Sequence, residues 1–462
     1  MEILLTFLGC IAYLWAFVVM LKWSFLAIAP ERHQISGLIF LMNNCLFVLP
    51  ALLVVPLVGP LNIRILHYVE PNSVMMINTI VLSSMLGFVF CLGLLSHFFG
   101  RALFYDLKKI YAELHVPAVE ARLLAFCRVM MLSIPVAIFI NLTVFEGQHA
   151  FFSAAFFDLN PGAIRHINES SAFSAYTKHY FHVIALFMAP CLALPVYRDR
   201  WRERWLAVIL VFAALTSHGS KSPFIFFLIF LTVAWLEKSA LNAGKQSSGA
   251  LFAPRRIVAA GLALAGVFTL FYFLVVSFFL SEGGVFWDYF WNRVFVGQMA
   301  GVYEQFNLWI YDPAFAWHSV PFASFFVDYP NFHKELMLTS ENRVDPDSIG
   351  IKVTFFAAEA YGMFGWLGVI FAPLLMALQY IFTFLILNAV IRRTILRAPE
   401  LSKYVTAFFF ASYYSLTDGI SEMVLYKGCV FVIILLSPVI LCMALRGTWI
   451  ARQKTHASVL PT

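Results

Sequence analysis

Charge is scarce in this sequence. Asp, Glu, Lys and Arg make up 12% of its 462 residues, against roughly 25% in soluble domains. The length alone would suggest about three soluble domains, but so little charge cannot give three globules a hydrated surface. Cysteine pairs at metal or redox spacing are also missing. Cys10, Cys45, Cys91, Cys127, Cys191, Cys429 and Cys442 all lie in apolar runs, and none has CxxC spacing. The histidines are scattered without metal-ligand spacing, so no zinc site is expected. Met1 is followed by Glu2 and an apolar run, with no basic leader and no A-x-A cleavage site; the first segment is therefore expected to stay as a span.

Apolar residues are abundant: 61% of the chain is hydrophobic and its mean hydropathy is +0.83. Runs long enough to cross a bilayer, or nearly so, recur at 2–21, 36–58, 73–98, 123–145, 179–197, 204–217, 222–236, 257–280, 364–391, 404–418 and 424–445. The expectation is an all-α integral membrane protein: one transmembrane domain over 1–462, a bundle of about 11 helices. The stretch 204–236 is broken by Thr216 to Pro223, a turn signal with a proline suited to opening the next helix, so it reads as two spans and a tight hairpin.

The formal charge of +6 is topological information and no sign of a nucleic-acid partner. Of 31 basic residues, 21 fall in one alternate set of loops, including Arg198, Arg200, Arg202 and Arg204. Nine fall in the other set, and Arg128 lies within the fourth run, snorkelling toward the basic side. The positive-inside rule then places the N-terminus outside and the C-terminus in the cytoplasm. The two longest outer loops are about 146–178 and 281–350, both rich in aromatic, His and charged residues. Any chemistry is expected to face outward.

Several residues are candidates for it. Lys221, in His218-Gly219-Ser220-Lys221-Ser222-Pro223, stands at a hairpin mouth beside a helix start, where free N–H groups and a full positive charge suit an anion; the plain alternative is a polar hairpin tip. Arg293, in Asp288-Tyr289-Phe290-Trp291-Asn292-Arg293, can grip phosphate with two parallel hydrogen bonds, or simply anchor an interfacial helix or pair with Asp288 or Glu282. Arg165 and His166 follow a Pro-Gly turn in the first large loop, where a solvated loop arginine is the plainer reading. Arg343 and Lys352 belong to a charged stretch of the second loop that leads into Phe355-Phe356-Ala357-Ala358-Glu359-Ala360-Tyr361-Gly362-Met363-Phe364-Gly365-Trp366-Leu367-Gly368. Glu359 is an acid in apolar text, costly near a membrane and either functional or tied into an internal salt bridge. The glycines there permit close helix packing.

The hairpin Gly219-Ser220-Lys221-Ser222-Pro223, the run Asp288-Tyr289-Phe290 leading to Arg293 and Phe295, and Phe355-Phe356-Ala357 leading to Gly365-x-x-Gly368 together resemble the O-antigen polymerase (Wzy) family, over roughly residues 140–445. The chain departs from it in having Asn292-Arg293 where some members carry tandem arginines, and in lacking an Arg-x10-Gly spacing from Arg293. The resemblance implies a bacterial inner-membrane glycosyltransferase of the lipid-dependent, GT-C-like kind. It would join undecaprenyl-pyrophosphate-linked oligosaccharide repeat units into a surface polysaccharide on the periplasmic face. No cofactor or metal is implied, and a flippase and a chain-length regulator would be its partners. Arg293 and Lys221 would stabilise the leaving pyrophosphate and Glu359 would take the acceptor proton, with Asp288 as the alternative base. Arg165, His166, Arg343, Lys352 and Asp288 would bind substrate. An O-antigen ligase would use the same donor. A transporter or flippase is the reading from another class; few mid-span charges and no internal repeat count against it.

The topology is directly testable. Reporters fused after Gly100 or Gly244 should read cytoplasmic, and a tag inserted at Ser340 should be labelled only from outside. Labelling of Ser340 from the cytoplasm would reverse the placement of every candidate residue.

Overall fold

The structure is a computed structural model. It describes residues 2–23, 48–63, 65–103, 107–144, 149, 172–193, 195–197, 199–218, 295–320, 323, 326–341 and 354–394, with scattered positions at 224–232, 266 and 400–406. Among the described residues the chain is largely helical and has no strands. Among the described residues, three helices are long and apolar enough to cross a membrane: Pro71–Phe99, Pro117–Thr143 and Phe356–Arg392. Leu4–Ala16 and Leu49–Val58 are shorter apolar helices. The expected runs 222–236, 257–280, 404–418 and 424–445 lie almost wholly outside the described residues.

The chain divides into two compact units. Met1–Asp106, Glu282–Asn388 and Thr406–Cys429 form the first; Leu107–Ser281, Ala389–Val405 and Val430–Thr462 form the second.

In the first unit α1 (Glu2–Trp23), α2 (Leu49–Val58) and α3 (Val74–Leu103) pack together. The short α4 (Ala300–Leu308) lies against α3 and against α5 (Phe332–Glu341). Every residue of α4 from Ala300 to Phe306 is buried, including Tyr303, Glu304 and Gln305. Its polar side chains reach in several directions. The Tyr303 hydroxyl donates to Asn78 Oδ1 at 2.7 Å, and Asn78 Nδ2 donates to the Leu52 carbonyl at 3.1 Å. Asn307 Oδ1 accepts from the Glu70 amide at 3.0 Å.

Helix α6 (Phe356–Thr394) is broken at Gly365, whose φ of 61° and ψ of −149° only glycine adopts without strain. The break is a reversal. Phe88 on α3 touches both Phe356, at a ring separation of 6.1 Å, and Tyr380, at 5.6 Å; in a straight helix those two residues would stand about 36 Å apart. A short arm, 356–364, therefore folds back along the long arm. The fold-back needs glycine twice more. A Cβ on Gly368 would sit 2.1 Å from the Ala360 carbonyl oxygen, and one on Gly362 would sit 2.5 Å from the Phe332 ring. The expected start at 364 followed the apolar run, whereas the helix begins at Phe356, because Ala-rich text around Glu359 is itself a good helix former. The long arm shows an outward stripe of Leu367, Ile370, Phe371 and Leu374, at helical spacing and 41–68% exposed. Polar Asn78, Ser84 and Ser96 of α3 point inward. Apolar residues outside and polar ones inside suit a lipid solvent.

In the second unit α7 (Pro117–Thr143), α8 (Ala172–Ala193) and α9 (Trp201–Thr216) form an antiparallel trio. Phe126 meets Phe187 while the Tyr180 hydroxyl donates to Ser133 Oγ at 2.8 Å, so residue numbers rise along α7 as they fall along α8. Helix α7 starts six residues before the expected 123, because Pro117 occupies a first-turn position where its missing N–H costs nothing. Arg128 finds a partner that the sequence did not disclose: its Nη2 donates to Glu203 Oε1 at 2.7 Å, at the α9 end beside Arg200. The Arg128 guanidinium holds the Glu203 carboxyl below the usual carboxylate range. This is the end of the trio that carries the basic 198–204 loop.

Ala at Gly365 or Gly368 should lower the apparent melting temperature in detergent. Each site should lose about 1–3 kcal/mol, from positive-φ strain at the first and overpacking at the second. A Gly365→Ala chain that melts with the wild type would contradict the fold-back.

Candidate functional site

The short arm of α6 brings a buried acid against a histidine of α5. Asn331 caps α5: its Oδ1 accepts from the amides of His333, at 3.0 Å, and Lys334, at 3.2 Å. The cap sets Phe332 and His333 on the first turn of α5. Phe332 lies over Gly362, which has no side chain to hold it off. Glu359 is one helical turn before Gly362 on the same face, and His333 meets it there, Nε2 to Oε1 at 3.3 Å. Glu359 has no solvent exposure and His333 has 5%. Phe315, Phe332, Leu336 and Met363 pack as one apolar cluster beside the pair. The end of the short arm next to the break is tied down as well, since the Asp312 amide donates to the Gly362 carbonyl at 2.9 Å.

A second buried acid lies on α4. Glu304 is fully buried and its Oε1 accepts a short hydrogen bond from the Tyr68 hydroxyl. Next to it, Gln305 Nε2 donates to the Ile310 carbonyl at 2.6 Å, while Gln305 Oε1 is buried with no hydrogen-bond partner among the described residues. Aromatic rings collect around the reversal. Trp309 meets Tyr361 at 5.2 Å and Trp366 at 5.6 Å, and Tyr311 meets Tyr361 at 6.4 Å. Tyr311 and Trp366 are about half exposed. Such rings suit a sugar face, a lipid chain or the membrane interface equally.

Of the residues given a role in catalysis or substrate binding from the sequence, Glu359 is the one the structure describes. Arg293, Lys221, Arg165, His166, Arg343, Lys352 and Asp288 lie outside the described residues. Glu359 does make an internal pair, the plainer of its two readings, but with a histidine and in a cluster of further polar groups. His333, Glu304 and Tyr68 were not anticipated. The signals for them are an N-capping asparagine at 331 and an acid embedded in Gly301-Val302-Tyr303-Glu304-Gln305-Phe306. No group of three or more metal-binding side chains occurs among the described residues.

No protein-family model matches the chain, and neither does any curated protein or solved structure.

The coupling of the pair can be measured by thermal unfolding in detergent. His333→Ala and Glu359→Ala should each cost about 1–3 kcal/mol. The double variant should fall short of their sum by at least about 0.5 kcal/mol. Strict additivity would mean that the two side chains do not interact.

Proposed function

We propose that the chain is a bacterial inner-membrane polymerase that joins oligosaccharide repeat units carried on undecaprenyl pyrophosphate. The observation that carries this reading is the dry Glu359–His333 pair on a folded-back helix arm of a membrane protein. Ionisable groups in such surroundings are expensive and are by default functional.

In the reaction the acceptor sugar's hydroxyl oxygen bonds to the anomeric carbon of the donor. The anomeric C–O bond to pyrophosphate breaks, its electrons leave with the lipid pyrophosphate, and the hydroxyl proton passes to a base. The leaving group is already good, so the demands are charge stabilisation and proton removal. Glu359 accepting from His333 Nε2–H fixes the tautomer in which Nδ1 carries the lone pair. His333 is then the base and Glu359 its orienting carboxylate, a refinement of the role that the sequence assigns to Glu359 alone. Arg293 and Lys221 meet the pyrophosphate charge, with Arg165, His166, Arg343, Lys352 and Asp288 around the glycan. The half-exposed Tyr311 and Trp366 offer faces for sugar rings.

One observation favours a second reading, a transporter or flippase. Broken helices with buried ionisable residues are also how transporters build substrate sites. Purified chain in vesicles separates the two: a transporter moves lipid-linked units across the bilayer and makes no new glycosidic bond.

Polymer length on a gel tests the first reading. Arg293→Ala and Lys221→Ala should abolish long chains while leaving single repeat units, through a rate loss of about 10²–10³. Arg293→Lys should be partly active because it loses the planar fork. Glu359→Gln and His333→Gln should cost about 10²–10⁴. Polymerisation should continue in excess EDTA; activity lost there and restored by Mg²⁺ would replace the cationic mechanism with a metal-assisted one.

A further inference from the structure

The rings at the reversal of α6 form a fixed surface. Tyr361 and Trp366 flank Gly365 in sequence, with ring centres 5.7 Å apart, and Trp309 meets both, at 5.2 and 5.6 Å. Buried Phe306 backs Trp309 at 5.5 Å and Tyr361 at 5.8 Å. Tyr311 lies over the break itself, its Cε2 3.7 Å from where a Cβ on Gly365 would stand. The backbone passes through the left-handed region on both sides of this surface. Gly365 does so on α6, and Trp309, with φ 54° and ψ 40°, does so at the end of α4, in a region that a side chain as large as tryptophan's rarely enters. Among the described residues Trp309 is the one non-glycine position at positive φ. Strain of this kind collects at ligand clamps, where the surrounding structure holds it in place.

Rings alone do not select a sugar over a lipid chain or the membrane interface; the polar groups beside them do. Asp312 follows Tyr311 directly and is partly exposed. Its amide holds the Gly362 carbonyl, and its Oδ1 accepts from the Ala314 amide at 2.8 Å, which fixes the side chain and leaves Oδ2 uncommitted among the described residues. A carboxylate oxygen therefore stands beside the half-exposed faces of Tyr311 and Trp366. On the inner side, Gln305 Nε2 holds the carbonyl of Ile310, the residue between Trp309 and Tyr311. Oε1 of the same planar amide is the acceptor left without a partner among the described residues. A buried acceptor left unmatched is destabilising until a donor reaches it. A hydrocarbon chain brings no donor. A pyranose brings several hydroxyls, together with a C–H face that lies flat on an aromatic ring.

We infer that Tyr311, Asp312 and Trp366, backed by Trp309, Tyr361 and Gln305, form a subsite for one pyranose ring of a glycan. The C–H face of the sugar lies on the exposed rings, Asp312 Oδ2 accepts from its hydroxyls, and Gln305 Oε1 accepts from a hydroxyl that enters between the rings. Tyr361 stands two residues along the short arm from Glu359, so the subsite and the buried pair share one element. That the ring belongs to the acceptor repeat unit rests on the polymerase reading. The subsite itself does not rest on it.

The test is saturation-transfer difference NMR on the purified full chain in a phosphocholine detergent, which offers no sugar headgroup to compete. The probes are lactose, cellotriose, chitotriose and maltotriose. Saturable binding of at least one is expected, with transfer strongest to its ring C–H protons. Tyr311→Ala and Trp366→Ala should each weaken it by about tenfold, the loss of one good ring contact. Trp366→Phe should keep most of the binding, and Leu367→Ala, on the outward apolar stripe, should leave it unchanged. Asp312→Asn keeps an oxygen for the Ala314 amide and loses the charge, and should weaken binding as well. It keeps the test valid if a ring variant fails to fold, as judged by melting and gel filtration. No saturable binding of any probe, or wild-type binding by the folded variants at 311, 312 and 366, overturns the subsite and leaves the rings as an interfacial belt. A chain that binds a probe through these residues but joins no repeat units upholds the subsite and removes the polymerase reading. A chain that polymerises while all three variants bind like the wild type does the reverse.

Discussion

The reversal at Gly365 is the constraint on which the buried chemistry of the first unit depends. A 39-residue helix running straight from Phe356 to Thr394 would carry Glu359 far along its axis, away from the residues that now surround it. The positive φ at 365 turns the first arm back, and two missing side chains let it settle. At Gly368 the arm's own Ala360 carbonyl approaches, and at Gly362 the Phe332 ring does. Only with Phe332 seated there can the next residue, His333, meet Glu359. Three glycines, none of them ionisable, thus decide whether the acid and the base can meet.

Much of this was readable in advance, for reasons that differ by residue. Apolar runs revealed α3, α7 and the long arm of α6, because a lipid solvent demands the same composition from every span. The Gly362–Gly368 stretch was legible as a place of close packing, since several glycines in apolar text have few other uses. The reversal was not: close approach between two helices and a helix folding onto itself use the same residues. His333 was passed over because Lys334 and Glu335 follow it directly, in Asn331-Phe332-His333-Lys334-Glu335, where a histidine looks solvated. Only tertiary packing puts it on the inner side. Glu304 was hidden by the brevity of α4, nine residues long and too short for periodicity to separate a buried helix from a loop. Seven of the eight residues assigned roles from the sequence fall outside the described parts, so Glu359 alone links that assignment to a geometry.

Tyr68–Glu304 and His333–Glu359 share a physical form. Each is a carboxylate withdrawn from water and set against a partner that carries a proton. Burial raises the cost of a bare negative charge, and the partner's hydrogen bond lowers it again. Such a group is poised, because a modest change in its surroundings, such as the arrival of a polar substrate, alters the balance. A pure structural filler of the same volume would stabilise the bundle as well or better. Two such pairs within one unit are therefore weak evidence for stability and better evidence for use.

The Arg128–Glu203 pair of the second unit is of a different kind. Its side chains are 47% and 32% exposed, and Arg200 stands 3.6 Å from the same carboxylate, so one acid tempers a basic end of the trio without cancelling it. Water and salt screen such a pair, and it adds little to stability. The Glu359–His333 pair has no water around it to take over either charge. Breaking it leaves a buried group unsatisfied, while replacing both partners with apolar side chains would cost the bundle little. The exposed pair is therefore explained by solvation alone, and the buried one asks for a use.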